Sequence, residues 1–303
     1  MPSDLNTREQ LVHLLRELAV EEGLQETAVT GVRLFRGSQS VPRGPMVYCA
    51  NIIIVGQGQK RAYLDGQVYQ YDPFNYLVSA VPLPAECEAI ATPDEPILMV
   101  NIDVDMTMVG EMILEMDETL PSGRETPRGI STTPMSDELA GAVIRLLQCL
   151  KSPVDCRLLG KQIVREVVYR VLRGEQGGSL RAMASRDDHF PRIARVLKYL
   201  HTEYALPIST DDMAKRAAMS SSVFHQHFKL VTASSPLQYL KRIRLDRARS
   251  LMIHEGYQAR EAALAVGYES PSQFSREFKR LFGRTPLEDT EQMRKLLLPD
   301  GAA

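Results

Sequence analysis

The chain has 303 residues, 44% of them hydrophobic, and a formal net charge of −2, a composition that fits a globular protein with room for two domains. No run of 18 apolar residues occurs, so no membrane span is expected. The four cysteines, Cys49, Cys87, Cys149 and Cys156, lack the spacing of a metal site or disulfide framework, and a reducing cytoplasm is the expected compartment. The charge is uneven: residues 1–188 carry 18 Lys/Arg against 26 Asp/Glu, and residues 189–303 carry 18 against 12. An acidic half joined to a basic half points to a polyanion as the partner of the second.

Residues 5–22 have the spacing of an amphipathic helix and lack the charged start and apolar core of a signal peptide. From Val29 to Val104 short β-rich runs follow: VRLFR, VYCANIIIV, KRAYL, QVYQY, NYLVSAV, ECEAIA and ILMVNIDV. Asp65-Gly66 marks a two-residue hairpin, because both central residues need positive φ. Strands this short and regular predict a sandwich or small barrel. Residues 105–117 read as a helix, then comes a linking stretch with Pro121, Gly123, Pro127 and Gly129. Helices are predicted over Ser136–Lys151 and Cys156–Arg173, the second ended by Gln176-Gly177-Gly178. From Phe190 onward the pattern is helical, broken by short turns, so a domain boundary is expected near 175–190.

The helical half contains a repeat. SSSVFHQHFK (220–229) lies over SPSQFSREFK (270–279) at an offset of 50, whereas Met213-Ala214 lies over Ala262-Ala263 at 49. Two copies are too few for a solenoid; two helix-turn-helix units fit, the second with a turn one residue longer. Ser209 is placed to cap a helix with Asp212 completing a capping box, Ser220 and Ser270 cap the second helices, and Pro271 takes the first helical position. Phe224/Phe228 and Phe274/Phe278 at i, i+4 point into a core. Ser222, Val223 and Gln226, and their counterparts Ser272, Gln273 and Arg276, remain outside as candidates for reading base edges in a major groove. Ser220, His225, Lys229, Ser270, Lys279 and Arg280 are the candidates for the DNA backbone. A helix over Pro236–Ile253 would hold the units one turn of DNA apart, roughly 34 Å.

AALAVGYESPSQFSREFKRLFGRTP, with the unit and connecting helix before it, resembles the AraC/XylS family of bacterial transcription regulators over about 190–287. The family usually has an aromatic residue shortly after Thr285-Pro286; this chain has Leu287-Glu288-Asp289. The stretch LFRGSQSVPRGPMVYCANIIIVGQGQKRAYLDGQVYQYDPFNYLVSAVPLPAECEA resembles the cupin-like N-terminal domain of one AraC subgroup. The resemblance implies an α+β chain: a cupin-like β-barrel that senses a small-molecule effector, flanked by helices that dimerise, and an all-α C-terminal domain with two helix-turn-helix units joined by a long helix. The expected organisation is an N-terminal helix (1–24), the barrel (25–118), a helical linker and dimerisation region (119–188), the DNA-binding domain (189–288, with units at about 209–232 and 258–282) and a tail (289–303). The expected partners are double-stranded DNA, the effector, a second copy of the chain and, for an activator, RNA polymerase.

No enzyme is expected. Cupin metal sites draw on histidine clusters, and none of His13, His189, His201, His225, His227 and His254 falls within 29–104, so neither a metal nor another cofactor is expected. His225 and His227, at i, i+2, face different ways and cannot pair on a metal. Arg61, Tyr63, Tyr69, Tyr71 and Tyr76, polar or aromatic positions on adjacent strands, are candidates for an effector pocket. Cys49 and Cys87 fall in predicted strands, either as reactive thiols or, more commonly, as small buried residues. Met106, Met112 and Met116, with Ile113 and Leu114, read as a core face of the helix over 105–117. Stripes of Val143, Leu146, Leu147, Leu150 and of Leu159, Ile163, Val167, Val171 are either a dimer seam or packing on the barrel. In the competing reading, the helical half contacts a protein partner and not DNA; the polar, basic outer faces of both recognition helices weigh against it.

Overall fold

The computed structural model describes residues 3–64, 66–116, 128–174, 177–184 and 189–297. The chain divides into two compact units, Met1–Ala194 and Arg195–Ala303. The first holds helix α1 (Ser3–Leu18), strands β1 (Gly23–Glu26), β2 (Val32–Gly37), β3 (Val41–Tyr48), β4 (Asn51–Gln57), β5 (Gln59–Leu64), β6 (Gln67–Tyr71), β7 (Asn75–Ser79), β8 (Leu83–Ile90) and β9 (Ile97–Asp103), helix α2 (Met106–Met116), strand β10 (Ile130–Pro134), and helices α3 (Asp137–Leu150), α4 (Pro153–Leu158), α5 (Gly160–Arg173) and α6 (Gly178–Ala184). The strands pair antiparallel in two sheets and not in one closed ring: six in the order β1-β2-β9-β4-β7-β10 and four in the order β3-β8-β5-β6. Strands β4 and β9 are near-continuous apolar runs because they are interior strands covered on both faces. On one side α1 lies so close that a Cβ on Gly56 would come within 2.4 Å of the Leu15 side chain. On the other side the second sheet faces them, with the Lys60 ammonium 5.4 Å from the Phe35 ring. Strand β5 alternates, with Lys60, Ala62 and Leu64 inward and Arg61 and Tyr63 outward.

Several boundaries differ from the sequence reading. The first helix ends at Leu18, and Gly23–Glu26 is a strand paired with β2. VYCANIIIV is broken at Cys49 and Ala50, so Cys49 lies in an exposed turn while Cys87 is buried. The linking stretch supplies an edge strand, β10, on β7. Cys156–Arg173 is two helices, broken at Leu159, and Gly160 at the start of the second packs against Val29, where a Cβ would meet it at 2.6 Å. Asp65, Pro121, Gly123, Pro127 and Gln176 lie outside the described residues; Gly66 has the positive φ, +74°, expected of the hairpin. Val143, Leu146, Leu147, Val167 and Val171 are buried within the unit, where α3 packs on α1 and α5, whereas Leu159 is half exposed. Most of the two stripes is therefore internal core.

The second unit is helical. Helix α7 (His189–Glu203) crosses the division, followed by α8 (Thr210–Arg216), α9 (Ser221–Thr232), α10 (Pro236–His254), α11 (Ala259–Ala265), α12 (Pro271–Phe282) and α13 (Pro286–Leu297). The repeat covers three helices each time, because Pro236 and Pro286 open α10 and α13 at the same offset. Both tight turns use one hydrogen-bond pattern: Met219 N–H donates to Ala214 O at 3.1 Å, and Tyr268 N–H to Ala263 O at 2.9 Å. The second turn is one residue longer, Tyr268-Glu269 standing where the first has Met219 alone. The left-handed residue is Ala218 (φ +51°) in the first turn and Gly267 (φ +84°) in the second; the C-caps repeat the difference, with Ala233 (+57°) and Gly283 (+76°).

Alanine in that conformation carries steric strain that glycine does not. Ala218→Gly is therefore expected to stabilise the first unit by about 0.5–1 kcal/mol, read as a higher urea midpoint.

In the core beneath α9, the Tyr239 hydroxyl is 2.8 Å from His201 Nε2 and its ring packs edge-on against Phe228. Burial, with Arg247 nearby, pushes His201 down to about 4. The folded state thus holds His201 neutral, while the unfolded chain takes up a proton near pH 6.5. Stability from this group is full above about pH 6.5 and is lost as pH falls toward 4, by about 3 kcal/mol in all. Urea unfolding at pH 7 and 4.5 is expected to show that slope, and His201→Gln to flatten it.

Candidate nucleic-acid interface and effector site

The two recognition helices, α9 and α12, are set by the same local chemistry. The Ser220 hydroxyl accepts from Val223 N–H at 3.4 Å and the Ser270 hydroxyl from Gln273 N–H at 3.3 Å, so each serine caps its helix and keeps its own O–H to donate. Phe224, Phe228, Phe274 and Phe278 are fully buried. Ser222, His225, Gln226 and Lys229 on α9, and Ser272, Gln273, Arg276, Lys279 and Arg280 on α12, are exposed; Val223 is half-buried. Arg276 forms no ion pair among the described residues. Ser209 and Asp212 form the capping box of α8, and Gln258 with Glu261 forms an equivalent one on α11.

Residues the sequence reading passed over hold α12 in place. Glu277 accepts from Lys241 of α10 at 2.6 Å, from the Tyr268 hydroxyl at 2.8 Å and from the Gln273 amide at 3.2 Å. Despite partial burial, these donors hold the Glu277 carboxyl below its ordinary range. Arg244 of α10 donates to the carbonyls of Tyr204 and Leu206, both at 2.7 Å. The 50-residue offset offered a signal for this: Glu277 breaks the repeat where the first unit has His227.

The five effector candidates lie apart from one another. Arg61 and Tyr63 point outward and bind Glu88, at 3.3 and 2.7 Å. Tyr69 accepts from Arg128 at 3.0 Å. Tyr71 is buried between the sheets, its hydroxyl 2.8 Å from that of Tyr48 and 3.8 Å from Cys87 Sγ. Burial lowers the pKa of the neighbouring Lys60. Tyr76 lines a different space, a cleft of about 270 Å³ bounded by Thr133, Ser136, Leu139 and Arg170. Thr133 Oγ1 and Arg170 Nε are enclosed behind its wall without a hydrogen-bond partner.

Two helix-turn-helix units on one connecting helix, preceded in the chain by a double-sheet unit, define a two-part protein. Residues 28–179 match the family of the AraC-type transcriptional regulator N-terminus, and residues 213–292 match a helix-turn-helix domain family. The first match spans half of the chain, which therefore belongs to the AraC family of transcriptional regulators. Among curated relatives, it is 26% identical over 149 residues to the HTH-type transcriptional regulator ArgR of Pseudomonas aeruginosa, covering 49% of this chain and 45% of that protein. It is 27% identical over 147 residues to the HTH-type transcriptional activator RhaS of Escherichia fergusonii, covering 42% and 53%. The chain thus spans about half the length of these relatives. Its fold is like that of ToxT from Vibrio cholerae, with a TM-score of 0.55 at 11% identity over 86% of this chain and 97% of that one. No helix among the described residues is long and apolar enough to cross a membrane.

Proposed function

We propose that this protein is a sequence-specific, DNA-binding transcription regulator whose N-terminal unit senses a small molecule. The observation that carries the reading is the pair of capped recognition helices, each with an aromatic pair sunk in the core and polar side chains outside. Ser222, Val223, Gln226, Ser272, Gln273 and Arg276 face the bases, and Ser220, His225, Lys229, Ser270, Lys279 and Arg280 face the phosphates. The cleft beside Tyr76, where Thr133, Ser136 and Arg170 bring polar groups to a wall that also holds Leu139, is the effector site of this reading. Exposed Val154, Leu158 and Leu159 offer a surface for a second copy. The protein works in the cytoplasm without a cofactor and, as an activator, would meet RNA polymerase. Effector binding shifts the population of DNA-competent dimers.

Fluorescence anisotropy with specific and random duplexes tests the assignment. Arg276→Ala is expected to cost about 1–3 kcal/mol on the specific site and to relax one base position. Lys279→Ala is expected to weaken binding to all sequences and to lower the salt slope by about 1. Equal losses on both duplexes for Arg276→Ala would make Arg276 a phosphate contact only.

A further inference from the structure

We infer that Glu277, which itself faces the protein, sets the base preference of the second unit by orienting Gln273 to read adenine. The inference rests on the DNA-binding reading above and adds a base and a positioning residue to it.

Gln273 is the third residue of α12, in the first turn, where a recognition helix presents side chains to base edges. Its amide nitrogen donates to Glu277 Oε1 at 3.2 Å, one helical turn on. An ionised carboxylate only accepts, so the Gln273 NH2 must be the end that faces it. Glu277 cannot swing away, because Lys241 holds the same oxygen at 2.6 Å and the Tyr268 hydroxyl holds the other at 2.8 Å. Its side chain is only 13% exposed, and Lys241 offsets its charge near a polyanion.

With the N–H remote from the carbonyl given to Glu277, Gln273 keeps its carbonyl oxygen and its other N–H side by side and in a known order. Adenine is the base whose major-groove edge presents the matching pair, an N6–H donor beside the N7 acceptor. Guanine presents two acceptors, so its O6 would oppose the Gln273 oxygen. Thymine offers one acceptor and cytosine one donor, half of the pattern each. The first unit has Val223 and His227 at the matching positions and cannot make this arrangement.

The test uses the full chain and duplexes that the wild type recovers from a random library. Single-position base changes locate the position whose preference disappears in Gln273→Ala. There the wild type is expected to favour adenine roughly 5- to 150-fold, the discrimination of one bidentate contact. Glu277→Gln lets the neighbouring amide turn either way, and is expected to reduce that preference to about threefold or less. Damage to the fold would lower affinity for all four bases alike and leave their ranking. 7-Deazaadenine at the position, lacking the N7 acceptor, is expected to weaken wild type and leave Glu277→Gln nearly unchanged. A preference for another base, or an adenine preference that survives Glu277→Gln, overturns the inference and leaves the regulator intact. Failure to bind any duplex overturns both.

Discussion

Replacing Asp289 by alanine is expected to destabilise the C-terminal unit by about 3–5 kcal/mol, the cost of stranding one member of a buried ion pair. The Asp289 side chain is 4% exposed, and Arg249 donates to both of its oxygens, at 2.6 and 3.0 Å. The same guanidinium lies 4.9 Å from the Phe282 ring, which packs tilted 4.3 Å from Phe278 on the recognition helix. In the first repeat the position matching Asp289 is Tyr239, a buried aromatic on Phe228. The departure from the family pattern after Thr285-Pro286 is thus a change of means: an ion pair and an aromatic from α12 fill the place of one ring. Urea unfolding checks the magnitude. Replacing both partners with Met and Leu is expected to recover most of the loss, because no charge is then stranded.

Gly267→Val is the second large effect, at about 2–6 kcal/mol from left-handed strain plus overpacking. Gly267 has φ +84°, and a Cβ there would come within 2.2 Å of the Ala205 carbonyl oxygen, a backbone atom that cannot rotate away. The turn would open and α12 would lose its angle to α11. Thermal unfolding and specific-duplex affinity are expected to fall together. A variant with wild-type values for both would show that the turn relaxes freely.

The repeat was legible because tight turns leave strong marks: Ser caps, Pro at the first helical position, Phe pairs at i, i+4. Even the longer second turn could be counted from two offsets. The strand alternation of β5 was also visible, yet alternation has no sign, so it did not show that Lys60 faces inward and Arg61 outward. The stripes on α3 and α5 had the period of a packing face, but a period does not say what is packed. The fold gives it to α1 and to the other helix. Strand β10 escaped because ISTTP is short and polar, and its strand character comes from pairing with β7. Glu277 escaped because its role depends on Lys241, 36 residues away.

Selection of binding sites from random duplex DNA by the full chain at low salt, with and without cell extract to supply an effector, tests the central claim. The account predicts enrichment of two short elements about one helical turn apart, one for each unit. A single element would assign base reading to α12 and reduce α9 to a phosphate grip. No enrichment under either condition, with retention on a protein partner in its place, would contradict the account.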